Sequence, residues 1–268
     1  MIKYNEKIVD INKFPDGTLL LKEAMVSGIG DKDNSATITW KFENNEELIV
    51  LFYLVRHLQS LNVKDIYLKM PYIPNARQDR VKNSEDVFTL KYFAEIINSL
   101  GFSKVTVLDP HSSVSEALID RIEVQSPKSY IEKVIEKIGD ENLIMFYPDE
   151  GAMKRYSGMI EKPYAFGIKK REWKTGVIKG LDVSGEAEAV KESNVLIVDD
   201  ICSKGGTFLH SARKLKELGA KDIYLYVSHC ENTILAGELL ESGLITKVFT
   251  TDSIFTENDE RIEVFDYV

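Results

Sequence analysis

The chain has 268 residues, 44% hydrophobic and 29% charged, with a formal net charge of −9. That length suits one large or two modest domains of an ordinary globular protein. The acidity argues against a nucleic-acid binder that works by bulk positive charge. It leaves phosphate binding open, because a local cradle of amides, lysine and Mg²⁺ can dominate its own site. Two cysteines, Cys202 and Cys230, occur without metal-ligand spacing, which points to a reducing, cytoplasmic setting. The opening MIKYNEKIVDINKF lacks the apolar core of a signal peptide, and no apolar run reaches membrane-spanning length.

In chain order, Phe14-Pro15-Asp16-Gly17 reads as a turn, with an extended hairpin arm after it through residue 25. Residues 36–40 alternate as a strand. From Asn44 the period changes, and Leu48, Leu51, Phe52, Val55 and Leu58 mark an amphipathic helix capped by asparagine with acids in its first turn. A strand over 64–68 leads into the polar loop PYIPNARQDR (71–80). A helix over 89–100 and a strand over 104–108 follow, the strand ending at Asp109-Pro110-His111-Ser112.

The same order then repeats. A strand over 143–147 ends at Pro148-Asp149-Glu150-Gly151, and one over 162–168 ends at Lys169-Lys170-Arg171. VLIVDDICSKGGT (195–207) begins with an apolar, β-branched run, the pattern of a strand buried on both faces. Asp199 and Asp200 stand where that strand is expected to stop, and a helix is expected from Phe208 to about residue 218, then a strand over 222–227. HLQSLNVKDIYLKMP (57–71) echoes KLKELGAKDIYLYVS (214–228), and KVTVLDPH (104–111) echoes KVFTTDSI (247–254), which suggests a duplicated architecture. Strands alternating with helices imply parallel sheets, with ligands outside the strand C-termini. The polar stretch over 124–127 divides the chain into domains 1–126 and 127–268.

Five loops carry chemistry. Ser203-Lys204-Gly205-Gly206-Thr207, between a strand and a helix start, can aim backbone amides at a phosphate, and Asp199 and Asp200 are acceptors suited to the vicinal hydroxyls of a ribose. An Asp-Asp pair or a Gly-Gly turn alone would be an ordinary loop; the joint pattern resembles the ribose-phosphate motif of type I phosphoribosyltransferases and phosphoribosyl pyrophosphate synthetases. PYIPNARQDR, otherwise a solvated turn, resembles the P-Y-x-x-x-A-R-Q-D-[RK] signature of the synthetases. Asp109-Pro110-His111-Ser112 resembles their D-L-H-[AS] element, Pro148 to Arg155 resembles S-P-D-x-G-G-x-x-R, and Lys169-Lys170-Arg171 resembles the catalytic K-x-R that opens a flexible loop.

With KFPDG, these motifs run in the family's order along nearly the whole chain. The resemblance implies two tandem type I phosphoribosyltransferase-like domains, each α/β with a mainly parallel sheet flanked by helices. It implies an ATP site in the first domain, made by Arg77, Gln78, Asp79 and His111, with Phe14 and Asp16 reaching from a neighbouring subunit of a homodimer or larger assembly. It implies a sugar-phosphate site in the second (Asp199, Asp200, Ser203, Lys204, Gly205, Gly206 and Thr207), Mg²⁺ at His111 and Asp149, and Lys169 and Arg171 as the catalytic pair. The implied reaction moves the diphosphoryl group of ATP to the anomeric hydroxyl of a ribose 5-phosphate acceptor, with no nucleic acid or membrane involved. Two departures matter. The family's D-T-x-G-T loop is S-K-G-G-T here, a change of about two charges that would also suit ADP-ribose, whose diphosphate carries more negative charge; and the acid of the family's arm is Thr18. A phosphoribosyltransferase and a non-catalytic regulatory relative are the remaining alternatives.

Overall fold

The structure, a computed structural model, describes residues 1–22, 34–171 and 178–267, and among them all side chains except those of 169–171 and 178–181. The chain forms two compact units, Met1–Gln125 and Ser126–Val268.

The first unit contains β1 (Ile2–Tyr4), β2 (Lys7–Ile8), β3 (Asn12–Lys13), β4 (Leu19–Leu20), β5 (Ser35–Trp40), α1 (Glu46–Ser60), β6 (Asp65–Lys69), α2 (Thr89–Ser99), β7 (Lys104–Leu108), α3 (Val114–Leu118) and β8 (Ile122–Gln125). Its sheet runs β2-β1-β5-β6-β7-β8, with β5 to β8 parallel and β1 and β2 antiparallel at one edge. Leu51, Leu54, Val55 and Leu58 of α1 and Leu90, Phe93 and Ile97 of α2 are buried together with the sheet's Ile38, Leu68 and Val107. That is the stripe that the helical spacing predicts. The asparagine at the start of α1 acts one position early: Asn44 Oδ1, not the Asn45 side chain, accepts from Glu46 N at 3.0 Å. β3 and β4 pair across the turn Phe14 to Gly17, where Gly17 has φ +86° and Phe14 N donates to Thr18 O. The expected arm beyond residue 22 lies outside the described residues.

The second unit contains α4 (Lys128–Ile138), β9 (Ile144–Tyr147), α5 (Glu150–Tyr156), β10 (Tyr164–Arg171), β11 (Ile178–Gly185), β12 (Val195–Cys202), α6 (Gly206–Glu217), β13 (Ile223–Cys230), α7 (Glu238–Glu241), β14 (Lys247–Thr251) and β15 (Ile262–Phe265). The sheet order is β11-β10-β9-β12-β13-β14-β15, parallel throughout except for the β10–β11 pair. β9 and β12, at its centre, are apolar on both faces: Ile144 to Tyr147 and Val195 to Val198 are all buried.

The internal echo is structural. Tyr67 stands opposite Lys104 in the β6–β7 ladder, and Tyr224 opposite Lys247 in the β13–β14 ladder. These are the matching residues of the two repeated phrases, so β5-β6-β7-β8 and β12-β13-β14-β15 are two copies of one arrangement.

Candidate functional site

Four of the five loops singled out in the sequence follow the C-terminal ends of parallel strands, where α/β sheets bind ligands. In the first unit, residues 71–80 follow β6 and residues 109–113 follow β7. Arg77, Gln78 and His111 are exposed. Gln78 is held at the start of α2: its Oε1 accepts from Thr89 Oγ1 at 2.7 Å, and its carbonyl accepts from Leu90 N.

Asp79 has a different surrounding. It is buried, both of its oxygens accept from the Arg80 guanidinium at 2.7 Å, and Ser112 Oγ donates to Oδ2 at 2.6 Å. The carboxylate therefore ties the loop after β6 to the loop after β7. Arg80 is the largest cause holding the Asp79 carboxyl well below the usual carboxylate range. Because the folded pKa is depressed, this contribution to stability is complete above the unfolded value and is lost as pH falls through the folded one. Asp79→Asn is expected to cost about 1–3 kcal/mol at pH 7. Urea unfolding of both proteins across pH should show the gap constant above about pH 5 and closing below the carboxylate range. A gap that does not change with pH would remove the ion pair as its cause.

At the arm, Phe14 is 49% exposed, and Asp16 Oδ1 accepts from Thr18 N at 3.0 Å and Thr18 Oγ1 at 2.7 Å. The residue that departs from the family pattern thus supports the turn rather than facing away from it.

In the second unit, β12 does not stop before the acids. Asp199 pairs with Val227, Ile201 with His229 and Cys202 with Cys230, so the ladder continues and Asp199 and Asp200 lie inside the strand. The apolar spacing resumes after the acid pair, with Cys202 buried against the core, and this carries the strand forward. Asp200 is buried, and its Oδ2 accepts from Arg155 Nη1 at 3.0 Å. Arg155 lies on α5, directly after Asp149. Asp149 caps that helix, Oδ1 accepting from Ala152 N at 3.1 Å. Burial, then the negative charge of Asp200, and to a lesser degree Asp149, push the Asp199 carboxyl well above its ordinary value. Arg155 was not singled out from sequence, because nothing in the spacing links positions 155 and 200; the link is the adjacency of β9 and β12.

Residues 203–205 join β12 to α6, and Gly206 and Thr207 open the helix. Gly205 has φ +80° and precedes the helix, whose first-turn amides have no intrahelical partners. Lys204, Gly206 and Thr207 are exposed, Ser203 is half-buried and Gly205 is buried. Lys169 and Arg171 belong to β10, where Lys169 stands opposite Leu181 and the register shifts between Lys170 and Arg171. The strand therefore continues through the basic triplet, rather than ending before it at a flexible loop; the two side chains lie outside the described residues. Among the described residues no three His, Cys, Asp or Glu side chains come together as a metal cage, and no helix is long and apolar enough to cross a membrane.

A parallel sheet with an acidic pair in its central strand and a glycine loop opening the next helix defines the phosphoribosyltransferase class. Residues 117–267 match the model of the phosphoribosyl transferase domain. The chain is 30% identical over 236 residues to the ribose-phosphate pyrophosphokinase of Mycoplasma genitalium, covering 84% of this chain and 69% of that one. It is 32% identical over 229 residues to the enzyme of the same name from Thermococcus kodakarensis, covering 82% and 77%. The fold is also that of the phosphoribosylpyrophosphate synthetase from Mycobacterium smegmatis, with a TM-score of 0.76 at 20% identity, covering 97% of this chain and 86% of that one. The chain belongs to the ribose-phosphate pyrophosphokinase family, and it is a diphosphokinase-type transferase.

Proposed function

We propose that the protein makes phosphoribosyl pyrophosphate and AMP from ATP and ribose 5-phosphate in the cytoplasm. The observation that supports this best is the join of acid pair and phosphate loop: Asp199 and Asp200 directly precede residues 203–207, and Arg155 holds Asp200 in place. The residues before 127 form the nucleotide domain and those from 127 the sugar-phosphate domain. Arg77, Gln78 and His111 bind ATP, with Phe14 and Asp16 supplied by a neighbouring subunit of a homo-oligomer, and Asp79 braces their loops.

Asp199 and Asp200 accept hydrogen bonds from the ribose hydroxyls. Ser203, Lys204, Gly205, Gly206 and Thr207 hold the 5-phosphate on amides at the positive end of α6. So oriented, the anomeric oxygen attacks the β-phosphorus in line. The bond from that phosphorus to the bridging oxygen of AMP breaks, and the hydroxyl proton leaves to solvent. Lys169 and Arg171 neutralise the charge on the transferring group. His111 and Asp149 are the residues that would hold Mg²⁺, an ion that takes one or two protein ligands and completes its shell with water and substrate phosphates. When bound, the ion supplies charge neutralisation at the diphosphate.

The exposed Lys204 favours a second reading, the same transfer to ADP-ribose, giving ADP-ribose pyrophosphate. Incubation with ATP, Mg²⁺ and either acceptor, followed by AMP release, decides between them. Ribose 5-phosphate is expected to exceed ADP-ribose by at least about tenfold in kcat/KM, as an acceptor whose buried polar contacts are satisfied should. The reverse ratio would establish the second reading. Release that depends on neither would remove both.

A further inference from the structure

The sugar-phosphate loop is moulded from behind by a segment far away in sequence. A β-carbon at Gly237 would lie 2.0 Å from the Lys204 carbonyl oxygen and 2.9 Å from its carbon, so the Lys204 C=O fills the space on Gly237 that a side chain would take. The next residue is pressed by the same segment: a β-carbon on Gly205 would lie 2.7 Å from Leu239 Cδ2 and 2.8 Å from Leu239 Cβ. Because a trans peptide is planar, with N–H opposite C=O, turning the Lys204 carbonyl toward Gly237 turns the Gly205 N–H away from it.

The segment itself is anchored. Glu231 N donates to Cys202 O at 2.8 Å and Gly237 N to Ile234 O at 3.1 Å, and Ile234 and Leu239 are fully buried in the core. Resting on the reading of residues 203–207 as the sugar-phosphate loop, we infer that Gly237 and Leu239 are positioning residues for that loop, setting which way its amides face and hence the affinity for the acceptor's 5-phosphate.

Gly237→Ala tests this. Real β-carbons stay at least 3.0 Å from such atoms, so the loop must retreat by about 1 Å. A misplacement of that size is expected to lower kcat/KM for ribose 5-phosphate by about 10²-fold. The loss should appear as a raised KM for ribose 5-phosphate with the KM for ATP within about twofold of wild type, which a general structural defect would not produce. Leu239→Ala, which relaxes the mould without a clash, should move the same KM in the same direction by a smaller factor. Gly158→Ala is the control: its φ lies outside the left-handed region and its β-carbon would meet nothing within 4 Å. It should leave both KM values unchanged.

Amide exchange by mass spectrometry gives a readout that needs no substrate. Peptides covering 203–207 should exchange faster in Gly237→Ala than in wild type, while peptides of residues 1–125 should not change. If the wild type releases no AMP with ribose 5-phosphate, the functional reading fails, and the exchange result alone decides whether the segment moulds the loop. An unchanged exchange rate at 203–207, or equal rises in both KM values, would overturn the inference.

Discussion

Lys169→Ala is expected to lower turnover by about 10³-fold, the range for removing one charge aimed at a transition state. Because that charge matters where negative charge develops, the KM for ATP should stay within about twofold of wild type. The backbone of Lys169 lies inside β10, which pairs with β9 at residues 164–166 and with β11 along its length. Arg171→Ala is expected to lose a comparable factor. If both cations act on the same developing charge, the double variant should fall well short of the product of the two losses. Stopped-flow measurement of AMP formation under single turnover checks this directly. Wild-type turnover in Lys169→Ala would remove the residue from the mechanism.

Much of this architecture was legible because its signals are local and strong. The strand over 104–108 is legible to the residue, and the central strand β12 stands out as a run of apolar, β-branched side chains. The repeated KDIYL phrase announced the duplication that the matching β6–β7 and β13–β14 registers display. The missed elements are those whose signal is weak. β1 and β2 have three and two residues, too few for any period. β8 reads as polar Ile-Glu-Val-Gln because it is a sheet edge, half wet on both faces. The pairing of Arg155, which closes the S-P-D-x-G-G-x-x-R likeness, and the contact of Gly237 were invisible for another reason: their partners, Asp200 and Lys204, are 45 and 33 positions away in the chain. Only strand adjacency and backbone contact bring them together.

The duplication also shows how one copy differs from the other. In the second unit β12 passes through residues 203–207 to α6, whose exposed glycine-rich start can receive an anion. In the first unit the equivalent connection, residues 41–45 between β5 and α1, has no glycine. Glu47 there is buried, accepting from Trp40 Nε1 at 2.9 Å and from Glu43 N at 2.8 Å. The connection in the first unit thus spends a loop amide on a side chain of the chain itself, whereas the one in the second unit turns through Gly205 into α6.

Asp199→Asn is expected to do two opposite things: weaken the acceptor site and stabilise the fold. Burial and the charge of Asp200 raise the Asp199 carboxyl well above its ordinary value, so once ionised the group is a cost to folding. The sign follows from proton binding. Between the ordinary and the raised value the folded protein holds this proton more tightly than the unfolded chain, so the cost is absent at the acid end of that window. It grows as pH rises through it. Asparagine carries no charge and keeps an oxygen able to accept from Asp200 N, the bond that Asp199 Oδ1 now takes at 2.9 Å. Its melting temperature should therefore exceed that of wild type at pH 8, by about 2–4 °C for each kcal/mol relieved, and the difference should vanish as the medium is acidified. Over the same range kcat/KM for ribose 5-phosphate should fall by about 10²-fold, as when a charge-assisted hydrogen bond of about 1.5–3 kcal/mol is lost. Because the acceptor's 5-phosphate itself takes up a proton near about pH 6, acidification should weaken acceptor binding in both proteins, and more steeply in wild type than in Asp199→Asn. A variant that melts lower than wild type at pH 8 yet binds ribose 5-phosphate normally would make Asp199 a structural residue and leave the ribose to Asp200.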